Sequence, residues 1–136
     1  MNSFTIEWND VSPLIFPDRL ERFEKTYGVV LPESFKEFAK EYNGSKPKPN
    51  GIRAETGEEF TISSFLSFNL EDEKNVYTAM DYFTRFCYAK LIPFAFAPSN
   101  GFYCFRGERV VLFTKGNDVV RICDSFDLFV DRIREL

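Results

Sequence analysis

The sequence predicts an α+β fold in which a mainly antiparallel, twisted sheet is flanked by helices, two of them N-terminal and one C-terminal. Two observations predict it most strongly. Apolar residues recur with the 3.6-residue period of a helix up to Gly44, and after Gly51 they mostly alternate with the period of two that is typical of strands. A helical pattern returns after Ser125. Because 136 residues fit one domain, we expect a single domain over residues 1–136.

Two amphipathic helices are predicted near the N-terminus. The first spans residues 18–27, where apolar residues at i, i+3 and i+7 share one face and charged residues occupy the other. Gly28 supplies the left-handed residue that commonly ends a helix. The second helix has Pro32 at its first position and ends at Asn43 and Gly44. Since the connection between them is short and apolar, we expect both helices to pack on one core.

Between the second helix and the C-terminal strands, the sequence predicts a loop, then one or two strands, and then a further helix. Residues 45–51, with the sequence SKPKPNG, are expected to form a loop because proline and glycine disfavour regular structure. Residues 60–68 alternate as one strand or two, broken near the Ser-Ser pair in the middle. A further helix is expected over about residues 74–86. The acidic run before it, residues 71–73, suits the positive end of the helix dipole.

Strands joined by short turns predict an antiparallel meander in the C-terminal half. The turns are PSNG at residues 98–101, GE at residues 107–108 and KGND at residues 115–118. The run VVLF at residues 110–113 is apolar on both parities, which is typical of a strand covered on both faces. Ser125 is expected to cap the last helix. The apolar face of that helix comprises Phe126, Phe129, Val130 and Ile133.

The composition disfavours several classes of partner. The formal net charge is -4, whereas a phosphate-binding surface usually needs a basic excess, so we expect no nucleic-acid partner. No apolar run approaches the roughly 20 residues that cross a bilayer. The N-terminus has neither the basic start nor the apolar core of a signal peptide. Three widely spaced cysteines suit free thiols in a reducing compartment, and we therefore expect a cytoplasmic protein without a membrane partner.

The sequence offers little for catalysis. It has no histidine, which excludes the Ser-His-Asp and Cys-His arrangements. Scattered cysteines without a C-x-x-C pair predict no metal site, and the absence of a phosphate-binding glycine motif predicts no cofactor. Cys104 and Cys123 lie in apolar strands, where cysteine is usually a small buried hydrophobe. A carboxylate pair such as Asp118 and Asp124 stays open as an alternative, but the chain is interpreted as a non-enzyme.

Candidate partner contacts lie on one predicted strand and on the loop before the middle helix. Along residues 102–106 the side chains alternate, so the parity of either Tyr103 or Phe102 points outward if one face of the sheet is bare. Helices on both faces would bury both parities. Turns beside a sheet commonly carry function on a rigid scaffold. The residues expected to contact a partner are Asn100, Tyr103, Arg106, Glu71, Asp72 and Glu73.

Several segments together resemble one known family. They are LERFEKTYGVVLPESFKEFAKEYNG from Leu20, FTISSFLSF from Phe60, LIPFAFAPSNGFYCF from Leu91 and VRICDSFDLFVDRI from Val120. In their order and spacing they resemble the SUKH superfamily. More narrowly, they resemble the branch that is named for a fungal cell-wall synthesis regulator and is abundant among bacterial immunity proteins. The resemblance extends to Ile133 and so covers nearly the whole chain.

The resemblance implies the α+β fold predicted above and a function through protein binding. It implies a cytoplasmic immunity protein that neutralises a cognate protein toxin, and the acidic charge would suit a basic, nuclease-type toxin domain. Two alternatives stay open, namely a regulatory or scaffold module without a toxin and a small-ligand binder or carboxylate enzyme. At residues 97–101 the chain departs from its relatives, which often carry an acidic residue and a second glycine in this turn. The oligomeric state is not predicted.

Overall fold

The main sheet is antiparallel and five-stranded, in the order β5-β6-β7-β8-β9 once its elements are numbered along the chain. The computed structural model describes residues 6–85, 91–99, 101–116 and 118–136. The strands are β1 (Glu7–Asn9), β2 (Lys46–Lys48), β3 (Gly51–Arg53), β4 (Glu59–Thr61), β5 (Ser64–Phe65), β6 (Ile92–Ala97), β7 (Gly101–Arg106), β8 (Arg109–Phe113), β9 (Val119–Cys123) and β10 (Ile133–Arg134). The helices are α1 (Arg19–Tyr27), α2 (Glu33–Tyr42), α3 (Val76–Arg85) and α4 (Phe126–Asp131).

Two smaller sheets complete the architecture. The strands β10, β3 and β4 form an antiparallel three-stranded sheet, and β1 pairs with β2. The predicted α+β class, with a mainly antiparallel sheet, two N-terminal helices and a C-terminal helix, is confirmed. In the described part of the chain, none of the helices has the length and apolar character needed to cross a membrane.

Local sequence signals set the ends of the helices. At the end of α1, Gly28 has a φ of 64°, a left-handed conformation that a glycine adopts without a Cβ clash. Pro32 lies just before α2, one position earlier than predicted. The start of α3 is capped by Asn75, whose side-chain oxygen accepts a hydrogen bond from the backbone N–H of Thr78 at 2.8 Å. Ser125 caps α4 as predicted, accepting from a backbone N–H at 3.2 Å.

The structure corrects the prediction that residues 45–51 lack regular structure. They contain β2 and the first residue of β3. In β2, Pro47 lies opposite Trp8 of β1. A proline has no N–H to donate to a ladder, but among the described residues β2 pairs with β1 alone, and a strand at the edge of a sheet tolerates that loss.

The prediction for the last helix is wrong at its C-terminal end. The helix α4 stops at Asp131, and Ile133 belongs to β10, where it lies opposite Ile52 of β3. Both isoleucines are fully buried. Strand pairing therefore buries Ile133 on the same core that a longer helix would have reached, and the apolar spacing alone did not distinguish the two.

Helices cover both faces of the main sheet. Of the two alternatives for β7, one bare sheet face or helices on both faces, the structure therefore has the second. On one face, Phe105 packs against Phe35 of α2 with ring centroids 5.1 Å apart. On the other face, Phe102 packs against Phe83 of α3 with ring centroids 5.4 Å apart. All four apolar residues of β8 are buried, as predicted for a strand covered on both faces. The second face is less completely closed than the first, and the candidate site lies there.

Candidate functional site

A groove of about 530 Å³ lies between α3 and the end of the main sheet. Its walls are mostly apolar. We call it the aromatic groove and define it by four rings, Tyr82, Phe96, Phe102 and Phe113, and by three charged residues at its rim, Glu73, Lys74 and Lys115. Its volume is in the range of pockets that bind ligands or anchor side chains of a partner.

Strand register builds the floor of the aromatic groove. Phe102 of β7 lies directly opposite Phe96 of β6 on one side and Phe113 of β8 on the other. The rings of Phe96 and Phe102 have centroids 5.0 Å apart. Cross-strand neighbours on one face contact each other in this way, so the three phenylalanines form a row across three strands.

The helix α3 supplies the wall of the groove. Tyr82 is 42% exposed, and its ring is stacked on Phe102 with centroids 6.4 Å apart. The neighbouring Phe83 is buried and packs on the sheet below. Phe96 and Phe102 are only partly buried. The groove thus leaves aromatic surface within reach of a partner on a rigid floor.

Two lysines lie at opposite ends of this aromatic row. The ammonium nitrogen of Lys74 is 5.9 Å from the centroid of the Phe96 ring, a distance at which the face of a ring attracts a cation. Lys115 follows Phe113 in the β8–β9 turn and lines the groove from that side. Within the described residues, neither lysine forms an ion pair with a carboxylate. Both ammonium groups are therefore available to an occupant of the groove.

A second concave surface borders the β6–β7 turn. It has a volume of about 390 Å³ and is lined in part by Pro98, Ser99 and Gly101, and it shares Lys115 with the aromatic groove. Ser99 adopts a left-handed conformation with a φ of 63°. The turn that the sequence predicts as a contact surface therefore borders this second concavity. Asn100, the residue named in that turn, lies outside the described residues.

The structure corrects the expectation that Tyr103 offers its ring to a partner. Tyr103 is fully buried, and its ring packs on Phe129 of α4 with centroids 5.3 Å apart. Its hydroxyl donates to the backbone carbonyl of Thr61 at 2.7 Å. Burial raises the pKa of this phenol well above its ordinary value. On β7 the ring that reaches the surface belongs to Phe102, on the other parity.

The acidic run before α3 is mostly engaged within the protein. Glu71 forms an ion pair with Arg19 at 3.4 Å. Asp72 accepts hydrogen bonds from the hydroxyls of Ser12 at 2.6 Å and of Ser67 at 2.5 Å. These bonds, together with a weaker one from an amide, hold the pKa of Asp72 below its ordinary value. Of the three acids, only Glu73 is on the rim of the aromatic groove without such an ion pair or hydrogen bond.

Arg106 is exposed but does not join this site. It lies at the end of β7 that is opposite to Gly101 and is paired in register with Arg109 of β8. Phe102, near the start of β7, lines the groove, so most of the length of β7 lies between the groove and Arg106. The five described residues among those expected to contact a partner therefore do not form one cluster, and of these five Glu73 is the one that lines the aromatic groove.

The described residues offer little for catalysis. Asp118 and Asp124 flank β9, so about 20 Å of extended strand separates them, too far for the carboxylate pairs of glycoside hydrolysis. Cys104 and Cys123 are buried free thiols, and burial raises the pKa of Cys123 to about 11 and that of Cys104 still further. Neither forms a thiolate readily at neutral pH. No group of His, Cys, Asp and Glu side chains suited to a metal is found in the described ranges, and Cys87 lies outside them.

Comparison with known proteins finds one family that covers most of the chain. The model of the SMI1 / KNR4 family (SUKH-1) matches residues 15–132, which is most of the chain. The matched range includes every residue of the aromatic groove. No curated protein matches the sequence closely enough to add a named relative.

Proposed function

The chain belongs to the SMI1 / KNR4 family (SUKH-1), and from this premise we propose that it is a single-domain protein-binding module that acts as a cytoplasmic immunity protein. In this proposal it binds a cognate protein toxin and blocks its activity. The aromatic groove makes the contact, and the toxin inserts an apolar side chain between α3 and the row of phenylalanines.

One observation supports the aromatic groove as the contact surface. Tyr82 and Phe102 leave aromatic area accessible in a concave site, although most of the other rings in the described part of the chain are buried. Aromatic side chains in such positions are enriched among the few residues that contribute most to binding between proteins. A tyrosine combines a large apolar ring with a hydroxyl that tolerates water, so it suits a surface that is exposed in the free protein and covered in a complex.

The chemistry of the described residues supports binding rather than turnover. The two described thiols are buried and protonated at neutral pH, and the chain has no histidine. An immunity protein needs neither a nucleophile nor a general base, since occupying the active site of the toxin is sufficient.

A regulatory module without a toxin is the second candidate, because the family match supports it as well. Such a module would use the same groove for a cellular protein. The gene beside the one that encodes this chain distinguishes the two: a neighbouring toxin gene supports immunity, and a partner encoded elsewhere supports regulation.

We expect Tyr82→Ala to weaken binding to the neighbouring toxin by about 2 kcal/mol, roughly thirtyfold, because the change removes the exposed ring of the groove wall. Calorimetric titration of the purified toxin measures the affinity, and a toxin activity assay measures protection. Tyr82 is exposed on α3, so its replacement should change the free energy of unfolding by less than about 1 kcal/mol.

Leu128→Ala is the matched control. Leu128 is 40% exposed, close to the 42% of Tyr82, but it lies on α4, on the other side of the main sheet. Its affinity for the toxin should remain that of the unmodified protein. Equal affinities for all three proteins would exclude the groove as the contact surface, and full toxin activity in the presence of excess protein would exclude the immunity role.

A further inference from the structure

The aromatic groove differs in charge from the chain as a whole. The chain carries a formal net charge of -4, yet two ammonium groups and one carboxylate form the charged rim of the groove. One carboxylate close to Lys74 in sequence is already engaged, and Glu73 is the acidic side chain that remains at the rim. Asp72, two residues before Lys74, accepts from two serine hydroxyls.

The lysines are placed where they bracket the apolar floor. Lys74 lies over the Phe96 end of the aromatic row, and Lys115 lies beyond Phe113 at the other end. A side chain that enters between the two ends therefore has an ammonium group on each side. Opposite charges at these positions on the partner would be favoured, and like charges would be repelled.

We propose that the segment that enters the groove is acidic: an aromatic or aliphatic side chain packs against the accessible surface of Tyr82 and Phe102, and carboxylates on both sides of it accept hydrogen bonds from Lys74 and Lys115. The inference rests on the proposed function and specifies the chemistry of the partner. The contact segment is acidic even where the rest of the partner is basic, because the acidic run at residues 71–73 leaves only Glu73 at the rim.

An arginine of the partner is the strongest competitor for this position. The faces of aromatic rings attract a guanidinium, and Glu73 could pair with it. Two ammonium groups at the ends of the row oppose that arrangement. The ring of Phe96 already has the ammonium of Lys74 near its face.

Three capped pentapeptides of equal length test the charge preference, with the sequences Gly-Asp-Phe-Asp-Gly, Gly-Asn-Phe-Asn-Gly and Gly-Lys-Phe-Lys-Gly. Each is titrated at millimolar concentration into the full chain while amide chemical shifts are recorded by NMR, at low and at physiological salt. We expect the acidic peptide to bind about tenfold more tightly than the basic one, with the neutral peptide between them. The difference should narrow as salt rises.

The double variant Lys74→Glu with Lys115→Glu should reverse the order of the three peptides. Lys40→Glu is the control, because Lys40 is an exposed lysine on α2, outside the groove, and its replacement should leave the order unchanged. Equal binding of the three peptides, tighter binding of the basic peptide, or no saturable shift at groove residues with the acidic peptide would each overturn the proposal. If one of these results were obtained and Tyr82→Ala still lost toxin binding, the groove would remain the proposed contact surface. Only the proposal that its occupant is acidic would be excluded.

Discussion

Replacing Tyr103 by alanine is expected to lower the free energy of unfolding by about 3–5 kcal/mol, as is usual when a large buried aromatic side chain is removed. Tyr103 of β7 is fully buried, and its ring packs on Phe129 of α4. The change leaves a cavity in the main core and also deprives the carbonyl of Thr61 of its hydroxyl donor at 2.7 Å. Urea denaturation, followed by circular dichroism, measures the loss.

Tyr103→Phe separates the two contributions. It keeps the ring and removes only the hydroxyl, so the expected loss is about 1 kcal/mol. An exposed Tyr103 would behave differently: Tyr103→Ala would then keep its stability and lose affinity for a partner. That outcome would contradict the burial described above and return this residue to the interface.

Replacing Asp72 by alanine is expected to destabilise the protein by about 2–3 kcal/mol, because hydrogen bonds to a charged acceptor contribute more than neutral ones. One oxygen of Asp72 accepts from both Ser12 and Ser67. Ser67 is buried and would lose its acceptor. The bond to Ser12 also ties the segment before α1 to the loop before α3. Glu73→Ala is the control: Glu73 is exposed, and its replacement should change stability by no more than about 0.5 kcal/mol.

The pH dependence of stability provides a second measurement on Asp72. Because its pKa is lower in the folded protein than in the unfolded chain, the carboxylate stabilises the fold fully at pH values above the unfolded pKa. That contribution is lost as the pH falls through the folded pKa. The unmodified protein should therefore lose more stability on acidification than Asp72→Ala. If the free energy of unfolding fell by the same amount in both proteins on acidification, Asp72 would not be the source of this pH dependence.

The fold was largely predictable because local signals agreed with the tertiary arrangement. Gly28 and Ser125 mark helix ends by chemistry that acts within a few residues. The predictions for residues 45–51 and for Ile133 failed where pairing with a distant segment decided the outcome. Pro47 is accommodated by its position on an edge strand, and Ile133 by the facing β3, and neither partner is visible in the local pattern.

The site was predictable only in part. Turn chemistry and charge runs can be read locally, and they select the turn at residues 98–101 and the acid Glu73 as candidates. Glu73 lines the aromatic groove, and its contact with a partner stays a prediction. The row of Phe96, Phe102 and Phe113 depends on the register of three strands, which the sequence does not state. The alternation along β7 shows two parities but not which one reaches a groove, since helices cover both faces. The hydroxyl on its apolar ring favours Tyr103 as a contact residue, whereas in the structure Tyr103 is buried and Phe102 is only partly buried.

Hydroxyl-radical footprinting of the protein with and without the neighbouring toxin tests the central claim most directly, because it measures the accessibility of individual side chains. Phe16 is a suitable internal reference, since it is 50% exposed and lies before α1, outside the groove. The proposed contact predicts that the toxin lowers the oxidation of Tyr82 and Phe102 and leaves that of Phe16 unchanged. Unchanged oxidation of Tyr82 in the saturated complex, with protection of Phe16 instead, would contradict it.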